Sequence, residues 1–154
     1  PAGTIDPDQL RAHVVQVWGA DSVVAHGEVL LPAQLPGFVA LEGERIAGHA
    51  SYRLQAGACE LTSIDADPPR QGVGTLLLDA VIGEARRAGC VTVWLTTTND
   101  NLDALGFYQR RGFRLRALRP GAVNLARDTL KPEIPRIGSH GIPMHDELDL
   151  ELVL

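Results

Sequence analysis

The sequence predicts an α+β fold, a mixed central sheet flanked by helices, and three observations carry that expectation. The chain has 154 residues, the size of one domain with a single hydrophobic core. Hydrophobic residues make up 45% and charged residues 21%, the balance of a globular chain rather than a disordered one. Apolar patterning alternates between strand and helix spacing, in the order helix, strands, helix, strand, helix, two strands. That order calls for antiparallel pairing at the start and parallel crossovers in the middle.

The first helix is announced by Asp6 before Pro7, a capping residue followed by proline in the first turn. Leu10, Val14, Val17 and Trp18 then recur at helical spacing until Gly19. Ser22 to Leu30 reads as one strand, and Pro32 and Pro36 bracket a short loop. Phe38 to Leu41 and Arg45 to Leu54 read as a hairpin turning at Glu42-Gly43-Glu44. Gly57 restarts the chain into a strand over Ala58 to Ile64. After a loop over Asp65 to Gln71, Gly72 opens a helix to Ala88 whose apolar face is Leu76, Leu77, Ala80, Val81, Glu84 and Ala85, and Gly89 stops it. Val91 to Thr96, β-branched and aromatic, is a buried strand. Asn101 to Arg111 is a further helix, ended by Gly112.

Phe113 to Leu118 alternates Leu with Arg, and Leu148 to Leu152 alternates Leu with Asp149 and Glu151. If the two pair, Arg114 and Arg116 face Asp149 and Glu151. Between them, residues 120–143 hold four prolines and three glycines, with a short helix expected over Asn124 to Thr129. A connection of that length is too long for a hairpin turn, and long ordered loops are often functional. The expected organisation is one domain over residues 1–154, with a core over 22–118, the long loop over 120–143 and a final strand within 144–154.

The longest apolar runs are four or five residues, far short of the about 20 that a membrane-spanning helix needs. No charged-then-apolar leader is read at the start, and Cys59 and Cys90 are too few for a disulfide scaffold or a zinc site, so a reducing cytoplasm is expected. A net charge of −5 argues against nucleic-acid binding. Arg110 to Arg136 nevertheless carries +6, against −11 for the remainder, which suits either a solvated face or a hold on a small anion. His140 and His145, beside Asp146 and Glu147, have a spacing that fits no common metal site, so no metal is expected, and His49 within a strand reads as structural.

The densest signal is Arg70-Gln71-Gly72-Val73-Gly74-Thr75, set between a strand and a helix. Glycines let a ligand approach the backbone, and the opening N–H groups and positive dipole end of a helix suit a diphosphate. A P-loop would need Gly-Lys-Ser/Thr after a four-residue spacer, and no such run exists. A dinucleotide fingerprint needs a small residue three after Gly74, where Leu77 stands, although Asp100 could serve a ribose.

A third reading covers more of the chain. Arg70 to Thr75 resembles the pyrophosphate loop of the GNAT N-acetyltransferases, Gln/Arg-x-x-Gly-x-Gly/Ala. Asn101, Ala104, Phe107 and Tyr108 followed by Gly112-Phe113 resemble the family's later motif, Asn-x-x-Ala-x-x-x-Tyr then Gly-Phe, about 30 residues on. The resemblance spans Ser22 to Leu118 and extends to the last strand. Two departures are visible: the family's Gln/Arg position falls on Pro69, and residues 31–36 are too few for the helix pair that commonly covers the acceptor pocket.

The resemblance implies the GNAT acyl-CoA N-acyltransferase fold and transfer of an acetyl group from acetyl-CoA to a primary amine of a small molecule or peptide, by direct attack in a ternary complex. It implies that Arg70, Gln71, Gly72, Val73, Gly74 and Thr75 hold the diphosphate, that Ser63 and Ile64 pair with the pantetheine arm, and that an amide near Ile64 serves the thioester carbonyl. Tyr108 matches the family's general acid, although Phe107-Tyr108 equally suits a helix anchor. Glu60, four residues before Ile64 and on the same face of a regular strand, is the first choice of base, with Asp65 and Asp67 as others. Asn101 orders the helix start near the cofactor. Arg110 and Arg111 suit a helix C-terminus and a CoA phosphate, leaving Arg119, Arg127, Lys131 and Arg136 to shape the acceptor pocket. A homodimer is implied by resemblance alone, and a non-catalytic acyl-CoA-binding regulatory module would share these motifs.

Overall fold

A computed structural model describes residues 5–69 and 71–154. The architecture is α+β, a mixed sheet flanked by helices. Asp6 caps α1 (Pro7–Trp18) by accepting the Asp8 N–H, and Gly19 at φ 78° ends it. The expected strand over Ser22 to Leu30 divides in two, β1 (Val23–Ala25) and β2 (Glu28–Leu30). His26 and Gly27 between them both have positive φ, 41° and 80°, as a two-residue type I′ hairpin requires. The other elements stand within a few residues of expectation: β3 (Gly37–Glu42), β4 (Arg45–Gln55), β5 (Ala58–Ala66), α2 (Val73–Arg87), β6 (Thr92–Thr98), α3 (Leu102–Arg110), β7 (Arg114–Arg119), α4 (Ala122–Thr129) and β8 (Glu147–Val153).

The chain divides into two compact units. One takes in the described residues up to Val23, then Leu30–Val93 and Leu154; the other is Val24–Val29 and Trp94–Val153. In the first, β3, β4 and β5 form an antiparallel meander. Its buried apolar residues include Leu10 and Val14 of α1, Ile46 and Ala50 of β4, Cys59 and Leu61 of β5, and Leu77, Leu78, Val81 and Ala85 of α2. The apolar face of α2 is therefore turned from the expected one, with Leu76 left 69% exposed. On α1 the buried stripe is Leu10, His13 and Val14, while Val17 and Trp18 are exposed.

Two features of the meander decide which side chains share a face and how α2 is seated. Opposite β4 the register of β5 slips at Thr62: Tyr52 pairs with Leu61 but Ser51 with Ser63. Such a bulge reverses the inward-outward alternation beyond it. Glu60, Ser63 and Asp65 consequently share one face with Arg53, Ser51 and His49, whereas Ile64 joins Leu61 on the other. The expectation that Glu60 and Ile64 share a face assumed an unbroken strand and is corrected by this slip. Gly48 is the second feature. A Cβ there would stand 2.6 Å from the Asp65 carbonyl, 2.8 Å from Val73 Cγ1 and 3.0 Å from Leu77 Cδ1, so a bare backbone is what lets the start of α2 seat on the meander.

In the second unit β7 and β8 pair antiparallel, as the alternating Leu pattern predicts. Tyr108, Phe113, Val123, Ala126 and Leu150 are buried there.

Candidate active site

Gly72 opens α2, as its place in the sequence predicts. Gly72 adopts φ 82°, a left-handed conformation open to glycine without a Cβ penalty, and a Cβ there would meet nothing within 4 Å. Gly72 has no side chain with which to cap α2, no acid lies in the first turn, and Leu76 N–H donates to the Gly72 carbonyl. Val73, Gly74 and Thr75 therefore form an opening turn whose N–H groups precede the ladder and face a concentration of positive dipole. That cradle fits a diphosphate. Gln71 is exposed beside it, and Arg70 lies outside the described residues.

The polar face of the meander runs in three steps. At one end Arg53 Nε donates to Glu60 Oε2 at 2.6 Å, with the carboxylate buried. In the middle Ser51 Oγ lies 2.7 Å from Thr62 Oγ1 and 2.5 Å from Ser63 Oγ, a hydroxyl cluster at the bulge. At the other end His13 of α1 reaches Asp65 Oδ1 with Nε2 at 2.7 Å, and both side chains are more than nine-tenths buried. Burial pushes the Asp65 carboxyl up, while the His13 hydrogen bond and charge pull it back only in part. His49 is fully buried, and burial, seconded by His13, lowers its imidazole to about 4. Among the described residues, the sealed side-chain polar atoms without a hydrogen-bond partner are His49 Nδ1, His49 Nε2 and Asp65 Oδ2. Asp67, the remaining carboxylate considered as a base, is exposed and pairs with Arg45 at 3.5 Å.

Sequence reasoning missed His13. The available signal was its place three residues after Leu10, on the apolar stripe of α1, where a histidine has to find a polar partner.

In the second unit Asn101 resolves as the cap of α3: Oδ1 accepts the Ala104 N–H at 3.4 Å and Nδ2 donates to Thr97 Oγ1 at 3.2 Å. Tyr108 is buried in the last turn of α3, edge-on to Phe107 at 5.2 Å and tilted against Phe113 at 5.4 Å. Burial pushes its phenol well above the ordinary range, so the hydroxyl keeps its proton at neutral pH. Arg111 stacks its guanidinium 3.7 Å over the Phe107 ring and donates to the Phe107 carbonyl, which is the helix C-terminal role expected of it.

The basic segment is less available than its charge suggests. Arg116 meets Glu151 at 3.1 Å as expected, but a register slip between Leu115 and Ala117 sets Arg114 opposite Glu151 and leaves Asp149 to Arg119. Arg119, expected in the loop, is the last residue of β7. It donates from Nη1 to Asp149 at 2.7 Å and from Nε to Glu147 at 3.2 Å, and Thr96 Oγ1 adds a bond to Asp149 at 2.7 Å. Burial raises Asp149, yet those hydrogen bonds and the Arg119 charge outweigh it and hold the carboxyl below its usual range.

Arg127 is also committed. It lies buried on α4 and donates to the carbonyls of Ile134, Pro135 and Met144 and to Asn124 Oδ1. Of the four cations expected to line an acceptor pocket, these two are structural, and Arg136 is exposed. The loop they fasten is ordered further by Asn99, whose Oδ1 accepts the His145 and Asp146 N–H groups, and by Asp100, which accepts the Ser139 N–H at 2.8 Å. Asp100, weighed as a ribose acceptor, is thus spent on the loop. His140 meets Asp103 at 3.6 Å and His145 meets Asn124 at 3.4 Å.

A bulged strand, a helix opened by Gly72 and a tyrosine in the last turn of the next helix follow one another along the chain. The model of the acetyltransferase (GNAT) family matches residues 10–113, and the chain belongs to that family of acetyltransferases. It is 36% identical over 149 residues to the uncharacterized protein YdhI of Bacillus subtilis, covering 96% of this chain and 92% of YdhI. It is 32% identical over 78 residues to the ribosomal protein bS18-alanine N-acetyltransferase of Salmonella typhimurium, about half of each chain. Among solved structures, a Bacillus subtilis acetyltransferase in complex with CoA superposes with a TM-score of 0.65 at 25% identity, over 75% of this chain and 74% of that one.

Proposed function

We propose that the protein transfers an acetyl group from acetyl-CoA to a primary amine of a small molecule or peptide, in a ternary complex. The observation that carries the cofactor assignment is the start of α2, where the N-cap is a glycine open to solvent at φ 82° and Gly48 seats the helix on the meander. The Bacillus subtilis neighbour holds CoA, and the bS18-alanine enzyme acts on an amine, which supports the same pairing of substrates here. In this reading Arg70, Gln71, Gly72, Val73, Gly74 and Thr75 hold the diphosphate. The backbone of Ser63 and Ile64 pairs with the pantetheine arm, and an amide near Ile64 takes the developing oxyanion.

Tyr108, protonated at neutral pH, donates to the departing thiolate. The amine proton leaves to the polar face of β5, where Glu60 and the Asp65–His13 pair are the two acceptors. Asn101 sets the direction of α3 and so the place of Tyr108. The reading places the protein in the cytoplasm on its cysteine usage, with Cys59 and Cys90 as free thiols; burial lifts the Cys59 thiol to about 12. A homodimer completes this reading by family resemblance.

Thiol release from acetyl-CoA across a panel of primary amines is the direct test. Release with at least one amine supports the reading; tight acetyl-CoA binding with no release from any of them makes the protein a binding module instead. Tyr108→Phe should lower kcat by about 100-fold while leaving acetyl-CoA affinity within about twofold. An unchanged kcat removes Tyr108 from the chemistry.

A further inference from the structure

We propose that His13, held by Asp65, is the general base that takes the proton of the attacking amine. The inference rests on acetyl transfer as the reaction. The base has to stand near a carbonyl bound at the Ile64 amide, and Asp65 is the next residue along the strand. The bulge at Thr62 turns the Asp65 side chain to the polar face, toward α1. There Nε2 lies 2.7 Å from Asp65 Oδ1 and orients the imidazole; in the proposed base the proton is on Nε2, which makes Nδ1 the lone-pair site. A carboxylate behind an imidazole orients the ring and stabilises its cation, which is the arrangement that makes histidine an effective base near neutrality.

Polar atoms without partners also lie at this place. His49, fully buried on the neighbouring strand, and Asp65 Oδ2 both face into this cluster with polar atoms unpartnered. The charged and titratable groups facing His13 are Asp65 on β5, His49 on β4 and, through Asp65, Asp67 with its partner Arg45. His49 is neutral there, so it adds no cation to oppose protonation of His13. Glu60, at the far end of the same face, already receives the Arg53 guanidinium.

Bonds and protons balance across the step. The amine nitrogen bonds to the thioester carbon as its proton passes to His13 Nδ1, directly or through one water. The C–S bond then breaks and the thiolate takes the Tyr108 proton. His13 returns its proton to solvent, from which Tyr108 is refilled.

The test is kcat/KM for a responsive amine between about pH 5 and 9, in wild type, His13→Gln, Asp65→Asn and Glu60→Gln, with acetyl-CoA affinity and thermal unfolding measured on each. Wild type should show an acidic limb belonging to an imidazole. His13→Gln should lose about 100-fold in kcat/KM together with that limb, and Asp65→Asn should move the limb to lower pH. Added imidazole should restore part of the activity of His13→Ala, which a damaged fold would not allow. Retention of the wild-type limb in His13→Gln overturns the proposal, as does its loss in Glu60→Gln alone. A wild-type enzyme silent toward every amine overturns the parent reading and this one together, whereas an active enzyme with an unaltered His13 variant overturns only this one.

Discussion

At the scale of single residues, the cations in the +6 segment divide by what they touch. Arg119 neutralises one of two largely buried carboxylates, Glu147 and Asp149, and hydrogen-bonds both. Removing one partner of such a network leaves charge buried without compensation, which outweighs the loss of the bonds themselves. Arg119→Ala should therefore destabilise the protein by about 3 kcal/mol, read as a lower urea midpoint at pH 7. Arg136→Ala, an exposed change, should alter stability by less than about 0.5 kcal/mol. The sequence showed that these cations cluster but not which were bound. Arg119 and Asp149 are 30 positions apart, and their meeting depends on a register slip at Leu115 that no local pattern encodes. Tyr108 was legible because a motif fixed its place; its burial against Phe113 was legible only as an alternative.

At the scale of elements, helix boundaries were written into the sequence by residues that act locally. Asp6, Gly19, Gly72 and Asn101 each satisfy or release backbone groups within one turn, so their effect does not depend on the rest of the fold. Strand register is different, because it is settled between segments. The bulge at Thr62 decides which of Glu60, Ser63, Ile64 and Asp65 share a face, and nothing in Leu61-Thr62-Ser63 announces it. Gly48 was equally silent, an unremarkable glycine inside a strand whose missing side chain seats α2. Gly48→Ala places a methyl against the Asp65 carbonyl and Val73, so it should lift the start of α2 from the meander. The expected result is a KM for acetyl-CoA raised about tenfold with a smaller change in kcat. An unaltered KM would show that the helix can shift without disturbing its cradle.

At the scale of the whole molecule, one buried group contributes to the response to acid. The His49 imidazole falls from 6.5 to about 4 on folding, so below the unfolded value the native state binds fewer protons than the unfolded chain. Stability from this group is complete above about pH 6.5 and is lost as pH falls toward 4, by an amount on the order of 3 kcal/mol. Asp65, whose carboxyl is raised, works in the other direction, since its ionisation at higher pH costs the fold. Unfolding free energy measured by urea titration should decline between pH 6.5 and about 4 in wild type, and His49→Asn should flatten that decline. An equal slope in both would place the acid sensitivity elsewhere.

The segment after β7 has a property of a different kind. Arg127, Asn99 and Asp100 hold it almost entirely by main-chain atoms: the carbonyls of Ile134, Pro135, Pro143 and Met144 and the amides of Ser139, His145 and Asp146. Gly138 is the exception, since a Cβ there would collide with the Asp100 carboxylate. Anchorage through the backbone separates the path of the loop from the identity of its side chains. Most positions between Lys131 and Pro143 can accordingly drift in sequence while the loop keeps its course, which lets descendants of one ancestor present different surfaces from an inherited frame.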